Sequence, residues 1–332
     1  MVKEFYQNLA INEAWKYQGL TFPNPAVGCV VLGSNSEILT VCAHKKAGST
    51  HAELEAIKTA LKELNPSLIF PEEPNELYKF IIENHNNLLK NSTFFVTLEP
   101  CSHEGKTPSC AKLLAILKVK KVYIGCLDNN KCASGGIEIL KNANIEVEVG
   151  VCENECKELL EPFLLWSKDK FVFFKLALRL DGSYDNGEIT SLKSRTFMHD
   201  LRDKSELLII GGESVRADKP TLDSRLANGK PPDILILSKT KNFDKNIALF
   251  NVKNRHVFIQ NSKNFPKKYK NIMIEGGSNF LNFLKDEINW LLIFHNSSFS
   301  IKGNLYIKTN LNLKLLHINK IENEYISWYK IV

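Results

Sequence analysis

Residues 96–118, VTLEPCSHEGKTPSCAKLLAILK, set two cysteines at the ends of a polar loop. An apolar run leads in and a helix-like run leads out, so Cys101 closes a predicted strand and Cys110 opens a predicted helix. Such a loop has either a ligand to hold or two small residues beside a turn. A third ligand decides between these, and GSTHAELEAI supplies one: His51, with Glu53 two residues on, in the first turn of another predicted helix. Thiolate and imidazole are the ligands zinc prefers, and three of them leave a fourth position open. Water bound there is acidified toward neutrality. Glu53 lies too near His51 to ligate as well. It can take the water's proton and pass it to a leaving amine.

Two helix N-termini then point at the metal, and their partial positive charge favours thiolates. A closed structural site needs a fourth ligand, for which His103 in the same loop is the nearest candidate. Cys29, Cys42, Cys126, Cys132, Cys152 and Cys156 show no paired ligand spacing and read as small buried residues or surface thiols.

The chain has 332 residues, enough for two domains. No apolar run approaches the ~18 residues of a membrane span. The N-terminal MVKEFYQNLAINEAWKYQGL reads as an amphipathic helix and not as a signal peptide, so the expected location is cytoplasmic. Eight cysteines in a chain of this length point to metal or catalytic use more than to disulfides. A net charge of +6 is spread over scattered lysines. It suits a phosphorylated small molecule, and no basic stripe marks a nucleic-acid surface.

Strands alternate with helical patterns through both halves, which predicts an α/β layer fold. The reading gives a first domain over 1–150, a connecting helix and linker over 151–169, and a second domain over 170–332. Residues 65–91, with three prolines and many polar residues, read as a surface insertion holding one helix. In the second domain, IMIEGGSNFLNFLK predicts a buried strand, a Gly pair and a helix capped by Ser278. Its N–H groups could take a phosphate, or it is a plain strand-to-helix turn. Asn24, between two prolines, presents an amide suited to a pyrimidine edge, or is an ordinary turn.

H-A-E with P-C-x8-C has the arrangement of the zinc nucleobase deaminases, whose own spacing is C-x-x-C. Together, PNPAVG, HAE and EPCSHEGKTPSC resemble the bifunctional riboflavin biosynthesis family RibD, and the likeness covers nearly the whole chain. It implies a cytidine-deaminase-like three-layer domain followed by a dihydrofolate-reductase-like domain. It further implies zinc-dependent deamination of a diaminopyrimidine ribotide and then NADPH reduction of its ribose to a ribityl chain. On this resemblance His51, Cys101 and Cys110 hold zinc, and Glu53 is the proton shuttle. Asn24, His44, Lys106 and Thr107 meet the first substrate. Ala177, Ser214, Asp218, Ser238, Gly277 and Ser278 face NADPH, and Lys175, Arg202, Leu222, Arg225 and Glu275 contact the second substrate. Arg202 and Arg225 are the implied phosphate partners. The family is oligomeric, so a homo-oligomer is expected.

Some positions depart from the family pattern. Phe22 stands where a histidine is usual, and LDNNKCASGG lacks the family's prolines. Ser214 replaces a threonine, and the short YDNGEIT loop lacks a tryptophan expected beside the nicotinamide. Two rival readings follow: a deaminase with an inactive second domain, and a deaminase of tRNA or other nucleic-acid bases.

Overall fold

The computed structural model describes residues 2–103, 109–128, 134–185, 187–300 and 303–332. The chain divides into two units, Met1–Phe163 and Leu164–Val332.

The first unit runs α1 (Val2–Trp15), β1 (Gly28–Leu32), β2 (Ile38–Ala43), α2 (Ala52–Leu64), α3 (Pro74–Asn84), β3 (Thr93–Leu98) and α4 (Cys110–Ile116), then β4 (Lys121–Cys126), α5 (Gly136–Asn142) and β5 (Glu146–Val149). The helix α6 (Glu153–Lys168) carries the division between the units. Its sheet has the order β2-β1-β3-β4-β5. β1 is antiparallel to both neighbours, and β3, β4 and β5 are parallel.

Every residue of β1 is buried, as a strand covered on both faces must be. Val30 and Leu32 pack with Ala10 of α1 and Phe95. Alternation sends Cys29 and Val31 to the opposite face, where α2 packs. α2 buries Ala52, Glu53, Leu54, Ala56, Ile57, Ala60 and Leu61, so the face that holds it to the sheet also carries Glu53. The 65–91 insertion contains one helix, α3, whose Leu77 and Ile81 are fully buried. It is therefore packed into the unit and not merely laid on its surface.

The second unit runs β6 (Phe171–Arg179), α7 (Leu192–Lys204), β7 (Leu207–Gly211), α8 (Gly212–Asp218), β8 (Asp233–Leu237), β9 (Val257–Gln260) and β10 (Asn271–Glu275), then α9 (Ser278–Leu284), β11 (Trp290–Asn296), β12 (Leu313–Ile321) and β13 (Glu324–Ile331). Eight strands form one sheet in the order β12-β13-β11-β6-β10-β7-β8-β9. The run from β11 to β9 is parallel, and β13 joins β11 antiparallel. One face packs Val172, Phe174, Leu176 and Ile274 with Leu281 and Leu284 of α9. The other sets Phe171 edge-to-face with Trp290 at 5.2 Å and Trp290 edge-to-face with Trp328 at 5.7 Å.

Two local expectations change. Ser278 does not cap α9: Gly277 holds the cap position and Ser278 is the first helical residue. Its Oγ instead accepts from the Lys308 N–H and donates to the Lys308 carbonyl, both at 2.7 Å. The strand β12 has no counterpart in the sequence reading. It is a largely exposed edge strand, and with little of it in the core its residues carry little apolar alternation.

Gly28 has a steric reason. A Cβ there would lie 1.9 Å from the Ala10 carbonyl oxygen, so a side chain would push α1 off the sheet. Gly28→Ala is expected to destabilise the first unit by about 1–3 kcal/mol, read as an earlier urea midpoint of its near-ultraviolet dichroism signal.

Candidate metal centre and the charged site of the second unit

His51 sits at the N-cap of α2 with extended backbone, and its side chain does not cap the helix. Cys110 is the first residue of α4. Ser109, the N-cap of α4, accepts from the Lys112 N–H at 3.2 Å and donates to the Cys101 carbonyl at 2.8 Å. The Cys110 N–H points at Cys101 Sγ, 3.4 Å away. These bonds bring both ends of the loop under His51, whose Nδ1 lies 3.7 Å from Cys101 Sγ and 3.5 Å from Cys110 Sγ.

The three donor atoms lie within 4.8 Å of one another. Zinc bonds of about 2.0–2.3 Å in tetrahedral geometry put neighbouring donors roughly 3.5 Å apart. The donor set and its spacing therefore fit zinc. Among the described residues this is the one such group, and His103 is exposed outside it. Among the described residues the group thus offers three ligands, the number a catalytic zinc site uses.

The two sulfurs are unlike: Cys101 is favoured as thiolate, while that neighbour and burial push the Cys110 thiol up. Hydrogen bonds from the Cys110 thiol and N–H and from His51 outweigh burial and hold Cys101 well below the ordinary thiol range. Burial works against charge on His51, but Cys101 and Glu53 hold its pKa above the usual value. Glu53 is 5% exposed. Burial, with Cys101 beside it, pushes its carboxyl up to about 7.

Asn24 and His44 lie beside this group. The His44 ring stands 6.0 Å from that of His51. Its Nδ1 is 2.9 Å from the Thr50 carbonyl, so it carries the proton, and Nε2 is left to accept from Asn24 Nδ2 at 3.2 Å. That bond fixes which way the Asn24 amide faces. Burial lowers the His44 pKa, which keeps this tautomer neutral. Lys106, Thr107 and Cys132 lie outside the described residues.

The sequence reading missed Glu99. Its buried carboxylate accepts N–H bonds from Asp128 at 3.2 Å, Gly135 at 3.0 Å and Ile137 at 3.2 Å. Gly136 packs so closely on Pro100 that a Cβ would lie 1.9 Å from the Pro100 carbonyl oxygen. The start of α5 is thereby fastened to the loop that carries Cys101. The E-P-C triplet was the available signal.

In the second unit, three of the expected substrate residues, Lys175, Arg202 and Glu275, meet at the end of β10. Glu275 ends β10 in register with Lys175. Arg202 reaches it from α7 with two bonds, Nε to Oε1 at 2.7 Å and Nη2 to Oε2 at 3.0 Å, and gives Nη1 to the Asp223 carbonyl at 3.2 Å. Much of its fork is therefore engaged within the protein. Burial opposes charge on Glu275, but Arg202 and Lys175 outweigh it and keep the carboxyl below its ordinary range. Burial lowers the Lys175 pKa, and its Nζ lies 5.5 Å from the Phe294 ring centre.

Leu222 is 5% exposed with a φ of +54°. Arg225 is exposed and pairs with Asp223 at 2.6 Å. His199, absent from the sequence reading, is 3% exposed, with Nδ1 3.9 Å from Asp223 Oδ1.

The expected cofactor residues lie farther along the sheet. Ala177 pairs with Phe294 across β6 and β11, and Ser214 and Asp218 are on α8. Ser238 follows β8 and accepts from Arg216 Nη2 at 3.1 Å. A Cβ on Gly212 would lie 2.6 Å from that of Ser238, so the start of α8 and the end of β8 touch. At Gly277 a Cβ would lie 2.9 Å from the Tyr184 ring, and the Ser278 N–H meets the Tyr184 hydroxyl at 3.4 Å. Tyr184 thus covers the turn expected to cradle cofactor phosphates.

Comparison with known proteins agrees with this geometry. Residues 2–126 match the cytidine and deoxycytidylate deaminase zinc-binding region, and residues 170–290 match the RibD C-terminal domain. The fold and site define a zinc-dependent deaminase domain joined to a dihydrofolate-reductase-like domain. The riboflavin biosynthesis protein RibD of Aquifex aeolicus is 32% identical over 313 residues, covering 89% of this chain and 80% of that protein. That of Bacillus amyloliquefaciens is 33% identical over 248 residues, 72% of this chain and 60% of that protein. A Thermotoga maritima structure described as a diaminohydroxyphosphoribosylaminopyrimidine deaminase/5-amino-6-(5-phosphoribosylamino)uracil reductase superposes with a TM-score of 0.65. It has 27% identity, with 99% of each chain covered. This chain belongs to the RibD family.

Burial holds His199 and His295 down to about 4, against an ordinary 6.5. The unfolded chain binds these protons at higher pH than the folded one. Their contribution is therefore complete above 6.5 and is lost as pH falls toward 4. Urea titrations of the second unit across that window should show this decline, with a shallower slope for His199→Asn/His295→Asn.

Proposed function

We propose that the first unit deaminates the pyrimidine ring of 2,5-diamino-6-(5-phosphoribosylamino)pyrimidin-4(3H)-one. The second unit then reduces the ribose of the product, 5-amino-6-(5-phosphoribosylamino)uracil, to its ribityl chain. As a RibD protein the chain is a bifunctional deaminase and reductase of riboflavin biosynthesis that uses zinc and NADPH. The residue roles are our reading, and the convergence of His51, Cys101 and Cys110 beside buried Glu53 carries it.

Zinc held by His51, Cys101 and Cys110 would supply an acidified water as nucleophile. Glu53, buried beside the three ligands, would accept that water's proton and return it to the departing amine. Asn24, turned by its bond to His44, presents its amide to the pyrimidine edge. His44 stays neutral because burial disfavours its charge, so it orients Asn24 and leaves the proton transfers to Glu53.

NADPH bound in the second unit would supply the hydride that reduces the ribose. Lys175, Glu275, Leu222 and Arg225 hold the open-chain or ring form of the sugar phosphate in place for it. Arg202 orients Glu275 through its two-bond clasp. The donors around Ser238 fit a phosphorylated cofactor: Arg216 meets the hydroxyls of Ser238 and Thr240 there. Binding at Gly277 requires Tyr184 to swing aside.

We read the protein as a cytoplasmic homo-oligomer acting on a small molecule and not on nucleic acid. No helix among the described residues is long and apolar enough to cross a membrane. The match to the RibD C-terminal domain favours two activities over a deaminase with an inert partner domain.

The test is one assay on zinc-loaded protein with the diaminopyrimidine ribotide, read for ammonia release and NADPH oxidation. Glu53→Gln should keep its zinc and lose ammonia release by about 10²–10⁴-fold. Ammonia release that survives this substitution would sink the mechanism. Stripping the metal with a chelator should abolish ammonia release and spare NADPH oxidation when the deaminated ribotide is supplied.

A further inference from the structure

Arg255, in the turn leading into β9, pairs with main-chain carbonyls in place of a carboxylate. Its Nη1 donates to the Leu222 carbonyl at 2.7 Å, and its Nη2 to the Thr221 carbonyl at 2.6 Å and to the Leu249 carbonyl. Arg202 takes the next carbonyl, that of Asp223, at 3.2 Å. Three consecutive carbonyls thus end on two guanidinium groups that reach them from different elements.

The segment they hold is unusual. Leu222 has the left-handed φ of +54° and is nearly buried. A leucine keeps that backbone only where its surroundings over-determine it. The same segment carries Asp223, which pairs with Arg225, while His199 approaches Asp223 from α7. Arg255 itself is half-buried, and burial lowers its pKa to about 10, so its placement has a desolvation cost that the carbonyl bonds offset.

We infer that Arg255 is a positioning residue for the reduction step, its fork fixing the backbone of residues 221 and 222 so that Leu222 and Arg225 face the sugar phosphate. This rests on the reading of Leu222 and Arg225 as substrate contacts. A planar fork is needed because one guanidinium spans several carbonyls at fixed angles. A lysine ammonium is a point charge and does not.

The experiment uses the full-length, zinc-loaded chain with NADPH and 5-amino-6-(5-phosphoribosylamino)uracil. Ammonia release by the first unit of the same chain serves as the internal check on folding. Arg255→Ala and Arg255→Lys should each raise KM for the ribotide by about 10-fold or more, with a smaller change in kcat. Added guanidinium ion should restore Arg255→Ala, and sodium chloride at equal ionic strength should not.

An unchanged KM, or a loss that guanidinium fails to restore, overturns the inference. If Arg255→Ala proves insoluble, the KM of Arg255→Lys decides alone. Leu222→Ala and Arg225→Ala form the separating arm. If they raise KM while both Arg255 variants do not, the inference fails and the substrate reading stands. If they leave KM unchanged, the substrate reading fails and the inference with it.

Discussion

The deaminase chemistry depends on a short set of bonds that closes the loop from Cys101 to Cys110. The Ser109 hydroxyl on the Cys101 carbonyl, and the Cys110 N–H on the Cys101 sulfur, bring a strand end and a helix start together. Without them two thiols nine positions apart would have no reason to share a metal with His51. With them, the site is a property of where β3 stops and α4 begins. Glu99 extends the same logic outward. One carboxylate collects three N–H groups and ties the start of α5 to the metal loop. A charged acceptor bonding several backbone donors is among the stronger hydrogen-bonding arrangements a protein can build.

The second unit solves a different problem. Hydride transfer asks for no nucleophile from the protein, only for two reactants held face to face. Its resources accordingly go into backbone placement and charge balance. The Arg202–Glu275 clasp keeps a buried carboxylate ionised beside Lys175. Two buried charges of opposite sign with bidentate geometry can offset their desolvation, where either one alone would not.

How much of this could be read from the chain follows from the range of the interactions involved. The grouping of His51, Cys101 and Cys110 was legible because each lies at a strand or helix end that the apolar pattern marks, and because cysteine and histidine in that spacing have few other uses. His44 and Asn24 were singled out through the family resemblance, and the bond between them is what the structure adds. Glu99 sat in plain view within E-P-C, but its partners at Asp128, Gly135 and Ile137 are far along the chain. Arg255 carries no motif at all, since main-chain carbonyls leave no trace in the sequence of the segment that offers them. The cap at Ser278 was misread because a serine before an apolar run favours capping locally. In this fold its hydroxyl finds Lys308, thirty positions later, instead. β12 escaped notice because an edge strand that is mostly exposed need not alternate.

Leu77 and Ile81 give the 65–91 stretch a standing that its polar composition hides. Both are fully buried, and each such side chain contributes roughly 1.5–3 kcal/mol when withdrawn from water. Tyr78, between them, donates to the carbonyl of Ser109, the residue that closes the metal loop. A grafted tight turn would therefore leave a hole in the first unit and remove a contact behind the zinc ligands. An addition of this kind is no longer optional once the interior has been built around it, and shortening the chain here would mean redesigning its neighbours as well.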